Sequence, residues 1–185
     1  MSRTARALER LVIGLAALAL SVGLIALLSG YFAGQDPAQI SGSTPPPPGL
    51  AYPDLGHRRL APGDPHPAYN SNPPTSGAFV PRRILRDRTD LSDDQLLQAL
   101  ARGDVVILYG GARPPRGLRT LADRLAPPFT PARAAAGQTV ILGHRPGLPG
   151  IVAVAWGHLL PGTSAGDPAL RTFVAYWLGR GSPGR

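Results

Sequence analysis

Residues 11–28 read LVIGLAALALSVGLIALL, a stretch without a charge that residues 29–34 prolong. As a helix, 11–34 is long enough to cross a hydrocarbon core of ~30 Å. Arg3, Arg6 and Arg10 precede the run and Gln35 and Asp36 follow it. The positive-inside rule therefore predicts a cytoplasmic N-terminus over 1–10, a single-pass anchor in the inner (cytoplasmic) membrane over 11–34, and the rest of the chain outside. Tyr31 and Phe32 would sit at the outer interface. A cleaved signal peptide is the alternative, but the run exceeds a usual apolar h-region and no small-x-small site follows it.

Residues 35–51 contain SGSTPPPPG without apolar periodicity, so they are expected to form an extended, semi-rigid spacer. An extracytoplasmic domain is expected over 52–180, with a flexible tail over 181–185. The chain holds 23 Gly and 22 Pro, and their clustering assigns part of its length to linker rather than core. All 19 basic residues are Arg, and the net charge is +8. These arginines are scattered singly or in pairs such as Arg58–Arg59 and Arg82–Arg83, without a basic helix face or interleaved aromatics. That pattern argues against nucleic acid and for an anionic membrane surface. Cysteine is absent, which removes disulfides, thiol nucleophiles and thiolate metal sites.

One stretch gathers several conformationally restrictive residues: Tyr69, Asn70, Ser71, Asn72, Pro73, Pro74, Thr75, Ser76 and Gly77. Its short polar side chains can bond nearby backbone, and its prolines fix φ. Such a segment is either a rigid loop shaping a binding surface or a capped connector. It lies within residues 52–87, which read as a long ordered loop lying over the domain.

Regular patterning begins after Thr89. Asp90 or Ser92 can cap a helix with Leu91, Leu96, Leu97 and Leu100 on one stripe, stopped by Gly103. VVILY, Val105 to Tyr109, suits a strand buried on both faces. Further helices are expected over 115–125 and from Asp167 or Pro168 to Leu178, and further strands over 139–143 and 151–156. The predicted fold is therefore α/β, a small sheet of about three to four strands covered by helices, preceded by the long loop region and an N-terminal transmembrane helix.

No glycine-rich phosphate loop, GxSxG elbow or HExxH helix is present, so enzymatic activity is not expected. His57, His66, His144 and His158 are dispersed along the chain. The ordinary reading makes them surface or hydrogen-bonded imidazoles, and no cofactor is expected. The alternative is a transition metal ion held by His57, His66 and His158. Trp156 closes the last expected strand and reads as a core or interface anchor.

His57, then YNSNPPTSG, a helix leading into GDVVILY, and AWG at Ala155–Gly157 together resemble the bacterial domain of unknown function numbered 3105. The likeness spans about residues 55–178. It implies a single-anchor membrane protein with an exported domain. It also implies a histidine soon after PPTSG and a His-x-x-Glu-His-Gly segment before the strand, a set that resembles a metal or polar site. Here the first position is Ala78 and the second segment reads Gln98-Ala99-Leu100-Ala101-Arg102-Gly103, leaving only His57 and Gly103. The resulting expectation is a membrane-anchored, extracytoplasmic, noncatalytic binding or accessory module, a candidate subunit of a larger membrane complex. Its binding loop would comprise Tyr69, Asn70, Pro73, Pro74, Thr75, Ser76, Gly77 and Trp156, and its partners the bilayer and other membrane-protein subunits, with no nucleic acid.

Overall fold

The pleat of VVILY sorts its side chains onto two opposed layers. In strand β3 (Val105–Tyr109), Val106 and Leu108 face one core while Val105, Ile107 and Tyr109 face the other. All five are buried, as a central strand requires. The computed structural model describes residues 45–184, so the anchor expected over 11–34 lies outside the described residues. Among the described residues, no helix is long and apolar enough to cross a membrane.

β3 pairs parallel with β4 (Val140–His144) and antiparallel with β5 (Ile151–Ala155). β5 pairs antiparallel with β6 (His158–Thr163), and two-residue strands close the edges, β1 (Leu50–Ala51) on β6 and β2 (Thr89–Asp90) on β4. The sheet is six-stranded and mixed, in the order β1-β6-β5-β3-β4-β2. The expectation of three to four strands is thus corrected to six. The missed strands have physical reasons. β1 and β2 are too short to show a period of two, and β6 carries Pro161 and Gly162, which read as a turn. Pro161 is accommodated because β1 reaches only Leu159 and His158, leaving that part of β6 unpaired on its outer side.

Four helices cover the sheet. α1 (Asp93–Arg102) is closed by a capping box between Ser92 and Gln95 and by Gly103. It packs with α3 (Pro131–Ala136) on one face, where Leu96, Leu97, Leu100 and Ala134 meet Val106, Leu108, Ile141, Val152 and Val154. α2 (Leu118–Leu125) and α4 (Pro168–Trp177) cover the other face with Leu118, Leu121, Ala122, Leu170, Phe173 and Val174. α3 was not anticipated, because PARAAA is too short for an apolar stripe. Its ends are set locally by Thr130, which accepts from Arg133 N, and Gly137. The segment read as spacer ends inside the domain. Pro48 accepts a hydrogen bond from Trp177 Nε1 at 2.9 Å, and Leu50 begins the sheet.

Candidate functional site

The polar, proline-rich stretch turns inward along its length: Asn70 and Asn72 are exposed, but residues 73–80 are all buried. Its short polar side chains replace the ladder that a strand would provide. Asn70 Nδ2 donates to Pro53 O at 2.7 Å, and Ser76 Oγ accepts from Leu55 N at 3.0 Å. Ser71 Oγ accepts from Thr75 N, and Tyr69 Oη donates to Ala78 O at 3.0 Å. The Asn72–Pro73 peptide is cis. Gly77 has φ 130°, and a β-carbon there would lie 2.9 Å from the Tyr69 ring. Its N–H donates to Gly56 O at 2.8 Å.

These bonds tie residues 53–60 alongside the loop. Phe79 N donates to Arg58 O, Leu60 N donates to Phe79 O, and an isolated parallel bridge joins Arg59 to Phe79. The turn after β5 docks on the same loop, where Gly157 N donates to Thr75 O at 3.0 Å. Asp94, in the first turn of α1, accepts from Val80 N and bonds His66 Nε2, both at 2.8 Å. Arg145, the residue after β4, adds a tie, bonding Asp93 at 2.7 Å and Asn72 at 2.8 Å. The loop is thus the hub that joins α1, β4, β5 and the 53–60 strap.

Burial pushes the Tyr69 phenol up to about 12, and the carboxylates of Asp93 and Asp94 push in the same direction. A group whose folded value exceeds its unfolded value of about 10 contributes stability that is intact below that pH and lost above it. Stability should therefore fall as pH rises from about 10 to about 12. Tyr109 is shifted the same way by burial, so the informative measurement is the difference between wild type and Tyr69→Phe. Chemical denaturation at pH 9, 10.5 and 12 should give the variant a shallower decline. Parallel declines would remove Tyr69 from this account.

A cavity of about 720 Å³ opens where the strap passes the C-terminal half of α1. It is lined by His57, Arg58 and Arg59 from the strap, Gln98 and Arg102 from α1, and Ser182 near the C-terminus, with no carboxylate in its wall. Gln98 and Arg102 share a face because four residues separate them on a helix. Arg102 is steadied by a bond from Nη1 to Ala135 O, and Ser182 by bonds to Ala101 O. Gln98 is only 7% exposed, yet its Oε1 has no hydrogen-bond partner. A smaller cleft of about 270 Å³ adjoins, sharing Gln98 and Arg102 and adding Arg82, Arg83 and Leu85.

His57 meets the ring of Trp156 edge-on, with centroids 6.2 Å apart. Trp156 is 5% exposed, a core residue whose Nε1 also lacks a partner. His66 is engaged with Asp94, and His158 lies against the Trp177 ring with centroids 3.9 Å apart. The three histidines of the alternative metal set thus occupy three separate environments. Among the described residues, no group of three or more His, Cys, Asp or Glu side chains is placed to hold a metal ion.

Of the stretch singled out from sequence, Tyr69 to Gly77 builds the support and Trp156 packs behind it in the core, while the cavity wall comes mainly from residues not selected. The usable signal was the i, i+4 pair Gln98 and Arg102 together with the Arg58–Arg59 pair beside His57.

No curated protein and no solved structure matches the chain. A family model described as "Protein of unknown function (DUF3105)" matches residues 64–184, a span that includes the Pro73–Gly77 motif, α1 and the whole sheet except β1, and the chain belongs to that family.

Proposed function

We propose that this chain is a noncatalytic binding module, held at the outer side of the inner membrane by its apolar N-terminal run, whose ligand seat is the cavity between the strap and α1. The observation that carries this reading is the wall itself. It is a concave surface of ligand size lined by three arginines, one histidine and a glutamine, without a carboxylate. Such a wall supplies positive charge and hydrogen-bond donors to a ligand. The hub loop supports it by fixing the backbone of Gly56, Arg58 and Phe79. Accessory function within a membrane complex fits the same arrangement, because a tethered domain samples ligands at the membrane face at high effective concentration.

The test is gentle detergent extraction of the full chain from its own membranes, followed by native mass spectrometry. A retained molecule that disappears in Arg102→Ala is expected. Recovery of the chain in the soluble fraction, or without any retained molecule, overturns the proposal. So does stoichiometric metal that is lost on His57→Ala.

A further inference from the structure

Residues 81–88 read PRRILRDR and lead into β2, at the end of the sheet opposite β1 and β6. Two inward side chains fix this stretch. Ile84 is buried in the core beneath α1, and Asp87 accepts from Leu142 N at 2.8 Å and from Arg119. Backbone ties hold the remainder: Arg83 O accepts from Gln95 Nε2 at 3.2 Å, and Arg88 N donates to Leu142 O at 2.8 Å. With the one acid of the stretch turned inward, what stays exposed besides Pro81 is Arg82, Arg83, Leu85, Arg86 and Arg88. At 68% exposure Leu85 exceeds Leu50 and Leu55, the other exposed leucines among the described residues.

The ion pairs of the described residues do not use Arg83 or Arg86. Arg82 and Arg88 come within 3.9 Å of Asp94 and Asp87, carboxylates that already bond closer partners, and exposed pairs at that distance hold little. The next acid along the chain, Asp90, is engaged by His144. Leu85 also has apolar company. It lines the cleft of about 270 Å³ with Pro131, Ala132 and Ala135 of α3, all exposed, and the one acid of that cleft, Asp104, is buried. An apolar strip bordered by arginines suits an anionic bilayer surface, where the cations meet headgroups and the leucine enters the acyl boundary. The stretch has no aromatic side chain on which a nucleobase could stack.

We infer that residues 81–88 are a second membrane contact, which docks the domain on the anionic surface of the bilayer that the N-terminal run is proposed to span. The inference rests on that membrane location and not on what fills the larger cavity. Residues 35–44, between that run and the first described residue, reach ~35 Å at most, so the patch stays close to the lipid surface. Docking then holds the tethered domain in one orientation instead of letting it tumble.

Cysteine is absent, so Leu85→Cys places a single environment-sensitive fluorophore on the full chain. The labelled chain is reconstituted in vesicles of phosphatidylcholine alone or mixed with phosphatidylglycerol. In the anionic vesicles emission should shift to the blue and be quenched by nitroxide-bearing lipid; in the neutral ones it should remain that of a probe in water. A probe at Ser164→Cys, exposed just after β6, should report water in both. The fluorophore is itself apolar, so the arginines give the decisive comparison. Replacing the exposed pair, Arg83→Gln with Arg86→Gln, should lower the ratio of docked to undocked probe ~20-fold, and added salt should act in the same direction. A probe at position 85 that stays in water, that shifts equally in neutral vesicles, or that ignores the loss of both arginines overturns the inference. Protection in native membranes but not in vesicles assigns the patch to an acidic protein and overturns it too. Flotation tests the location separately: a chain that does not float with neutral vesicles loses its anchor, and one that floats with both while position 85 stays wet loses only the docking.

Discussion

Gly137→Ala should lower the stability of the domain by ~3 kcal/mol or more, seen as a drop of about 10 °C in Tm. Gly137 ends α3 with φ 70°, a conformation that costs an L-residue ~1–2 kcal/mol. The larger part comes from position. A β-carbon there would lie 1.9 Å from the carbonyl oxygen of Arg102 and 2.5 Å from its carbon, both backbone atoms. Nothing flexible can yield, so the end of α1 must move away from α3. Because Arg102 belongs to the cavity wall, the same shift should weaken ligand binding. Thermal unfolding of the full chain in detergent, followed by circular dichroism, measures the first effect. An unchanged Tm would mean that α1 and α3 are not in the close contact described.

Phe173→Ala tests the opposite layer. Phe173 is fully buried in α4, beside Leu170 and Val174, and its ring fills the space a side chain at Gly49 would need, 2.6 Å from that β-carbon position. Removing it deletes apolar burial and leaves a cavity, which together cost ~3–5 kcal/mol. It also loosens the entry of the chain into the sheet, since Gly49 precedes β1 and Pro48 is bonded to Trp177. Hydrogen exchange should accelerate at Leu50 and Ala51 more than in β3. A loss below ~1 kcal/mol, or uniform exchange, would show that α4 does not clamp the first strand.

Where a pattern is carried by neighbours in sequence, it was readable. Ser92, Gln95 and Gly103 mark the ends of α1 by local hydrogen bonds, and the stripe of Leu96, Leu97 and Leu100 follows from helical period. VVILY announces a strand buried on both faces because no polar residue interrupts it. Where an element exists only through a distant partner, it was silent. β1 and β2 are two residues each, held by β6 and β4, and β6 crosses a proline that only an unpaired outer side permits.

The cavity divides along the same line. The sequence by itself determined the chemistry available, a chain whose only basic side chains besides histidine are arginines, without cysteine and with a rigid PPTSG stretch, and it determined the helical spacing that puts Gln98 and Arg102 on one face. Only the tertiary structure decided that the PPTSG stretch is buried and that its bonds to Pro53, Leu55, Gly56 and Arg58 bring His57, Arg58 and Arg59 opposite that helical face. Those contacts join residues 17 to 45 positions apart, and their geometry depends on how the loop, the sheet edge and α1 pack against one another, which no local propensity encodes.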